Sequence, residues 1–413
     1  MIAAKEADIQ ADRGEPVSGM EPLLLSDRHR PEFTDLALEL THKSASLRAS
    51  LPASIVSSLA DLVRTMNCYY SNLIEGHNTH PIDIERALRG DYSNNPSSRD
   101  LQLEARAHIA VQKWIDEGGL KGRTAVTPGG IHEIHRRFCE LLPEELLWVE
   151  DPERKIRVRV VPGQLRDRDV RVGNHIAVSP AALPRFLARF AEVYERIGRT
   201  ESIISSAAAH HRLLWMHPFL DGNGRVARLM SHAILLDALH TGAIWSAARG
   251  LARRVTDYKS HLAECDLPRC NDLDGRGALS EEALADFTRF FLNVCIDQVT
   301  FMQDLVQPDR LRSRILNWVD DEVRLNRLPP KAKPILEAVL DRGELPRGEV
   351  AAVVGTSDRQ ARRIVSALVD KGVLTSDNPR APLRFVFPAT LAGRWMPGLF
   401  PEQPDAFPDP AMP

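Results

Sequence analysis

The chain has 413 residues, 43% hydrophobic and 26% charged, with a formal net charge of −3. That length exceeds what one hydrophobic core serves, so two or three domains are expected, and the near-balanced charge excludes a global pull toward nucleic acid or anionic membrane. Five cysteines, an odd number without framework spacing, exclude a disulfide scaffold and point to a reducing compartment. No stretch approaches the ~18 uncharged apolar residues of a membrane span, and the N-terminal MIAAKEADIQADRGEP lacks the apolar region of a secretory signal. The expected location is cytoplasmic.

Residues 1–30 are polar and mixed in charge and read as a flexible tail. Residues 31–130 read as helices. From Ser54, the residues Ile55, Leu59, Leu62, Met66, Tyr69 and Leu73 recur at three- and four-residue steps and predict a helix over about 54–76, closed at Glu75-Gly76. Further helices are expected over Leu101 to Trp114 and after Thr127-Pro128, an N-cap and first-turn pair. Residues 131–306 form the expected core. Within it, Ile156, Val158 and Val160, the turn Pro162-Gly163, then Val170 and Val172 predict a β-hairpin over about 155–178. Helical texture returns from Leu183 to Trp215, from Arg225 to His240 and from Ser280 to Leu305.

Gln307-Pro308 marks a linker. Over 309–395, helices at Ala332–Leu340 and Arg347–Val354 precede a capping box at Ser357 and Gln360. A third helix and two short strands follow, which is winged-helix order. Its third helix carries Arg359, Arg362 and Arg363 on one face, suited to DNA phosphates or to a docking protein. Residues 396–413 read as a disordered Pro-rich tail. The fold class expected is mainly α, a helical core with a β-hairpin flap, followed by a small α+β winged-helix domain.

The chemistry concentrates in His217-Pro218-Phe219-Leu220-Asp221-Gly222-Asn223-Gly224-Arg225-Val226-Ala227-Arg228. An apolar helix delivers a histidine into a Gly-rich loop, and a second helix opens near Gly224. Glycines around Asn223 let successive N–H groups converge on an anion, and the helix N-terminus adds its positive end. Arg225 and Arg228, three apart, share a face able to reach a polyphosphate. Asp221 is a hard oxygen ligand suited to Mg²⁺. His217 is the group in the loop able to take a proton near neutral pH.

This string resembles the Fic signature HPFx[D/E]GNGRxxR at every fixed position, and a looser likeness extends over about 55–300. The resemblance implies a protein adenylyltransferase that moves AMP from ATP to a Ser, Thr or Tyr hydroxyl of a protein target or of itself. It makes His217 the base, Asp221 the Mg²⁺ ligand and Gly222, Asn223 and Gly224 the phosphate cradle. Arg225 would serve the α/β-phosphates and Arg228 the γ-phosphate. The hairpin resembles the family's substrate-clamping flap, with Val170 as clamp. Ser71 to Gly76 resembles the [S/T]xxxE[G/N] inhibitory motif of class II members and implies that Glu75 pairs with Arg228 as a brake. Tyr258 and Asp266 stand where the adenosine pocket is expected, although Asn is usual at the second. Two alternatives stay open: a DNA-binding regulator whose Fic core senses or modifies only itself, and a Fic-fold enzyme that uses another nucleotide donor or removes AMP. The resemblance leaves a homodimer open. His132 and His135 stand three apart, not the four of a zinc-protease helix; His210 and His211 are expected to pack behind the loop.

Overall fold

In a computed structural model, which describes residues 12–151 and 156–401, the apolar stripes become stacked helices. The first six are α1 (Arg30–Ala49), α2 (Ala53–Ile74), α3 (Pro81–Leu88), α4 (Pro96–Asp116), α5 (Gly122–Ala125) and α6 (Pro128–Glu140). In α2, Ile55, Leu59, Leu62, Met66 and Tyr69 are buried as their spacing predicts, each contributing roughly 1.5–3 kcal/mol by leaving water. The helix ends as expected: Glu75 is the C-cap, Gly76 takes φ +85, and the His77 N–H donates to Asn72 O at 2.9 Å. Thr127 caps α6, its Oγ1 accepting from the Gly130 N–H at 3.1 Å.

The strands differ from the sequence expectation. Ile156–Arg159 (β2) pairs antiparallel with the upstream Trp148–Asp151 (β1), while Arg171–Val172 (β3) pairs with His175–Ile176 (β4). One hairpin over 155–178 is therefore two ribbons in sequence. The Gly173-Asn174 pair makes the tighter turn, and the Pro162-Gly163 turn is spent docking on α6, where the Gly163 N–H donates to His135 Nδ1 at 2.9 Å.

The remaining core helices are α7 (Leu183–Tyr194), α8 (Arg199–Met216), α9 (Asn223–Leu239), α10 (Ala247–Arg253), α11 (Val255–Cys265) and α12 (Glu281–Leu305). α8 and α9 pack most extensively, with α5 and α6 on α9 and α1, α10 and α11 on α12. Among the described residues, no helix is long and apolar enough to cross a membrane.

The C-terminal unit comprises α13 (Pro308–Arg324), α14 (Lys333–Arg342), β5 (Glu344–Leu345), α15 (Val350–Val354), α16 (Asp358–Asp370), β6 (Leu374–Thr375), β7 (Leu383–Phe385) and α17 (Ala389–Trp395). Its sheet order is β5-β7-β6, all antiparallel. Ser357 Oγ accepts from the Gln360 N–H at the start of α16. Trp395 meets Trp318 edge-on at 5.1 Å, and the buried residues of the unit are continuous with the core of the preceding helices. The expected linker is short, since α12 ends at Leu305 and α13 opens at Pro308.

Both expected tails need correction. Residues 1–11 and 402–413 lie outside the described residues, but Met20 and Leu23 are fully buried, and Glu15 accepts from Ser179 N at 2.8 Å and from Ser179 Oγ at 2.6 Å. At the other end Leu399 is buried, its carbonyl accepting from Tyr70 OH at 3.0 Å, and Phe400 packs edge-on against Tyr69. A few apolar residues suffice to dock a segment that is polar on average, because burial acts residue by residue and not on mean composition.

Candidate active site

α8 buries Ile203, Ala207, Leu213 and Met216 and ends at His217, which is its C-cap. His217 sits at φ 47, ψ 63, a left-handed conformation that costs a non-glycine residue about 1 kcal/mol or more. Its N–H still bonds Leu213 O at 3.1 Å, while its half-buried side chain faces a pocket. Burial, and next the charge of Arg166, push the His217 imidazole down to about 4, so it is neutral at pH 7 and free to accept a proton.

Beyond His217, Asn223 braces the loop. Its Oδ1 accepts from the Phe219 N–H at 3.0 Å and its Nδ2 donates to Phe219 O at 2.8 Å. The Asn223 side chain is thus committed to the turn, and what it leaves for an anion is its main-chain N–H. α9 opens there behind Gly222, at φ 78, without a capping side chain. The first helical bond in α9 is Val226 N–H to Gly222 O at 2.9 Å. Among the described residues the N–H groups of Asn223, Gly224 and Arg225 claim no acceptor, which leaves an anion cradle of N–H groups at a helix N-terminus.

The cradle faces the carboxylate of Glu75. Arg228 donates from Nε to Ser71 Oγ at 2.8 Å, and its Nη2 pairs closely with Glu75 Oε1. Burial raises the Glu75 carboxyl, but the charge and hydrogen bond of Arg228 outweigh it and hold the group below its ordinary value. Gly224 is needed for this approach, since a Cβ there would collide with Glu75 Oε1. Asp221 is exposed and forms no ion pair among the described residues.

One pocket is lined by Glu75, His217, Gly224, Arg228, Tyr258 and Asp266, with Val172 and Lys259 at its sides. Tyr258 is buried, its hydroxyl 2.6 Å from His210 Nε2, and Asp266 pairs with His211 Nε2 at 3.0 Å. His210 therefore stands behind the pocket wall, while His211 contributes to the lining itself.

Two expected residues fall elsewhere. Arg225 turns away from the pocket: its Nη2 donates to Glu104 of α4 at 2.6 Å, and its guanidinium lies 5.2 Å over the Phe138 ring. A desolvated guanidinium with a carboxylate in reach pairs with it, so Glu104 holds Arg225 at the start of α9. Val170 lies outside the lining of this pocket, which Val172, two residues on, borders with 46% of its surface exposed. Sequence reasoning missed Glu104 and the role of His77, 3.3 Å from Glu104. No local motif marks either residue. Arg359, Arg362 and Arg363 lie on α16, outside this pocket, all exposed.

Fold and site define a helical domain with a neutral histidine beside an anion cradle. Residues 125–235 match the Fic/DOC family. The chain is 28% identical over 172 residues to Protein adenylyltransferase Fic of Drosophila erecta, covering 41% of this chain and 32% of that protein. It is 29% identical over 175 residues to the protein of the same name from Nematostella vectensis, covering 41% and 37%. The chain thus matches about a third of the length of these curated relatives. A Fic family protein from Desulfovibrio desulfuricans shares the fold, with a TM-score of 0.50 over 85% of this chain and 96% of that one, at 18% identity. The chain carries a Fic domain.

Proposed function

We propose that the pocket beside His217 transfers AMP from ATP to a protein hydroxyl, on a target or on the chain itself, and that Glu75 restrains it. The observation that carries this reading is the meeting of a neutral histidine, unclaimed main-chain N–H groups and an arginine already gripping a carboxylate. A carboxylate at the first turn of α9 occupies the place an anionic phosphate would take, so it competes with productive nucleotide binding. The name of the relatives, protein adenylyltransferase, fits this chemistry.

In the released state, the cradle N–H groups would hold phosphate oxygens and Arg228 would turn from Glu75 to the γ-phosphate. Asp221 would hold Mg²⁺, which supplies charge neutralisation across the phosphates. Tyr258 and Asp266 would face the nucleoside. Arg225, held by Glu104, would brace the start of α9 without touching phosphate. An acceptor segment would add along the edge of β3–β4, with Val172 against it. The acceptor oxygen attacks the α-phosphorus as His217 takes its proton. The bond to the β-phosphate oxygen breaks, pyrophosphate leaves, and AMP stays as an ester on the side chain. Positioning and charge stabilisation carry most of the rate.

ATP labelled at the α-phosphate should leave its label on protein, and ATP labelled at the γ-phosphate should not; chelating Mg²⁺ should abolish the transfer. Retained γ-label would instead identify a kinase-like reaction. Absence of either label from a released variant would favour a sensor.

A second reading concerns the C-terminal unit, which we read as a winged helix. Arg359, Arg362 and Arg363 are exposed on α16 and make no ion pair among the described residues, which favours phosphate contact. Changing all three to Glu should weaken duplex DNA binding and flatten its salt dependence by roughly one unit of slope per arginine. If the unaltered protein shows no salt-sensitive binding in a fluorescence anisotropy titration, protein docking replaces this reading.

A further inference from the structure

Arg166 is 3% exposed and has no carboxylate partner among the described residues. A cation so placed is costly unless every donor is satisfied; burial pushes its guanidinium down to about 10. Here the donors go to main-chain carbonyls. Nε donates to His217 O at 2.7 Å, Nη1 to Arg168 O at 2.7 Å, and Nη2 to Met216 O at 3.3 Å and more closely to Val178 O. The Arg166 N–H donates to Pro218 O at 2.9 Å. Arg168 and Val178 bracket the β3–β4 ribbon, and Met216, His217 and Pro218 are where α8 breaks into its left-handed turn.

We infer that Arg166 is a positioning residue: one guanidinium staples both ends of the β3–β4 ribbon to the main chain at His217, fixing the acceptor strand and the base in one frame. The inference rests on the proposed roles of His217 and the ribbon. Two neighbouring ties run the same way. The His135 ring takes the Gly163 N–H on one side and stacks on Phe219 at 3.9 Å on the other, and His175 Nε2 lies 2.8 Å from Trp215 O. Arg13 also ties the two ribbon ends, at Ala177 O and Asp169, but among the described residues Arg166 alone joins both of them to both sides of the turn. A lysine keeps the charge but lacks the planar fork that meets diverging carbonyls.

The test uses the full chain carrying Glu75→Gly. Adding Arg166→Lys should lower kcat about 10²-fold while KM for ATP stays within about twofold, because the acceptor and base lose register but the cradle does not. Arg166→Ala should regain activity with ethylguanidinium and not with ethylammonium. Hydrogen exchange read by mass spectrometry should quicken together at 167–178 and 216–219 in Arg166→Lys, with the other helices unchanged. An unaltered kcat, a loss shared by KM for ATP with faster exchange throughout, or loosening of only one segment overturns the inference. If the Glu75→Gly parent transfers no AMP, the proposed reaction falls, while the exchange pattern still decides whether the staple exists.

Discussion

Glu75→Gly should raise auto-modification with ATP and Mg²⁺ by about 10- to 30-fold. The estimate follows from a charge-assisted contact between a buried guanidinium and a carboxylate that stays 36% exposed, worth about 1.5–2 kcal/mol at 1.4 kcal/mol per decade. The Glu75 carboxylate does two things at once: it satisfies Arg228 and it fills the approach to the cradle left open by Gly224. Glycine removes both, and Ser71 Oγ continues to hold Arg228 Nε, so the guanidinium keeps one partner. Glu75 already caps α2 ahead of Gly76, so the change falls at a helix end and leaves the helical interior alone. Initial rates of label incorporation, with circular dichroism of both proteins, measure the effect. A folded Glu75→Gly protein no faster than its parent removes the brake.

His217→Ala in that released background should lower transfer by about 10²–10⁴-fold, the usual contribution of a positioned base. ATP affinity should change little, since the cradle is built from main-chain N–H groups and Arg228. The pH profile gives a second handle. An ordinary imidazole protonates near 6.5, but His217 does so only near about 4. A base must be deprotonated to act, so the rate should hold as pH falls below 6.5 and decline only as it nears the lower value. Removing Glu75, whose charge raises the imidazole, shifts that limb no higher. Stability declines in the same window, because the unfolded chain binds protons there that neutral His217 and buried His210 refuse. Initial kcat/KM values on pre-equilibrated protein separate the two effects. An acid limb near 6.5 would place the proton acceptor elsewhere.

The signature loop was legible in sequence because its chemistry is contiguous: a helix end, glycines and charged side chains within twelve letters from His217 to Arg228 fold where they are written. The α2 stripe was legible because helical burial repeats locally, and Glu75 with Gly76 marked its end. Long-range choices were not. Alternation at Ile156, Val158 and Val160 says that the segment is a strand but not that its partner is Trp148–Asp151. The pairing of Arg225 with Glu104, on a helix 121 residues away in sequence, leaves no local signal. Arg166 looks like a solvated hairpin residue, and only the tertiary fold encloses it in carbonyls. Met20 and Leu23 were hidden in a polar segment for the same reason: their partners lie far along the chain.

Intact and peptide mass spectrometry of the Glu75→Gly protein after exposure to ATP and Mg²⁺, beside the same protein also carrying His217→Ala, meets the central claim directly. The first should carry AMP on a Ser, Thr or Tyr side chain and the second none. A folded first protein without the adduct, or an adduct that survives loss of the histidine, would contradict the account.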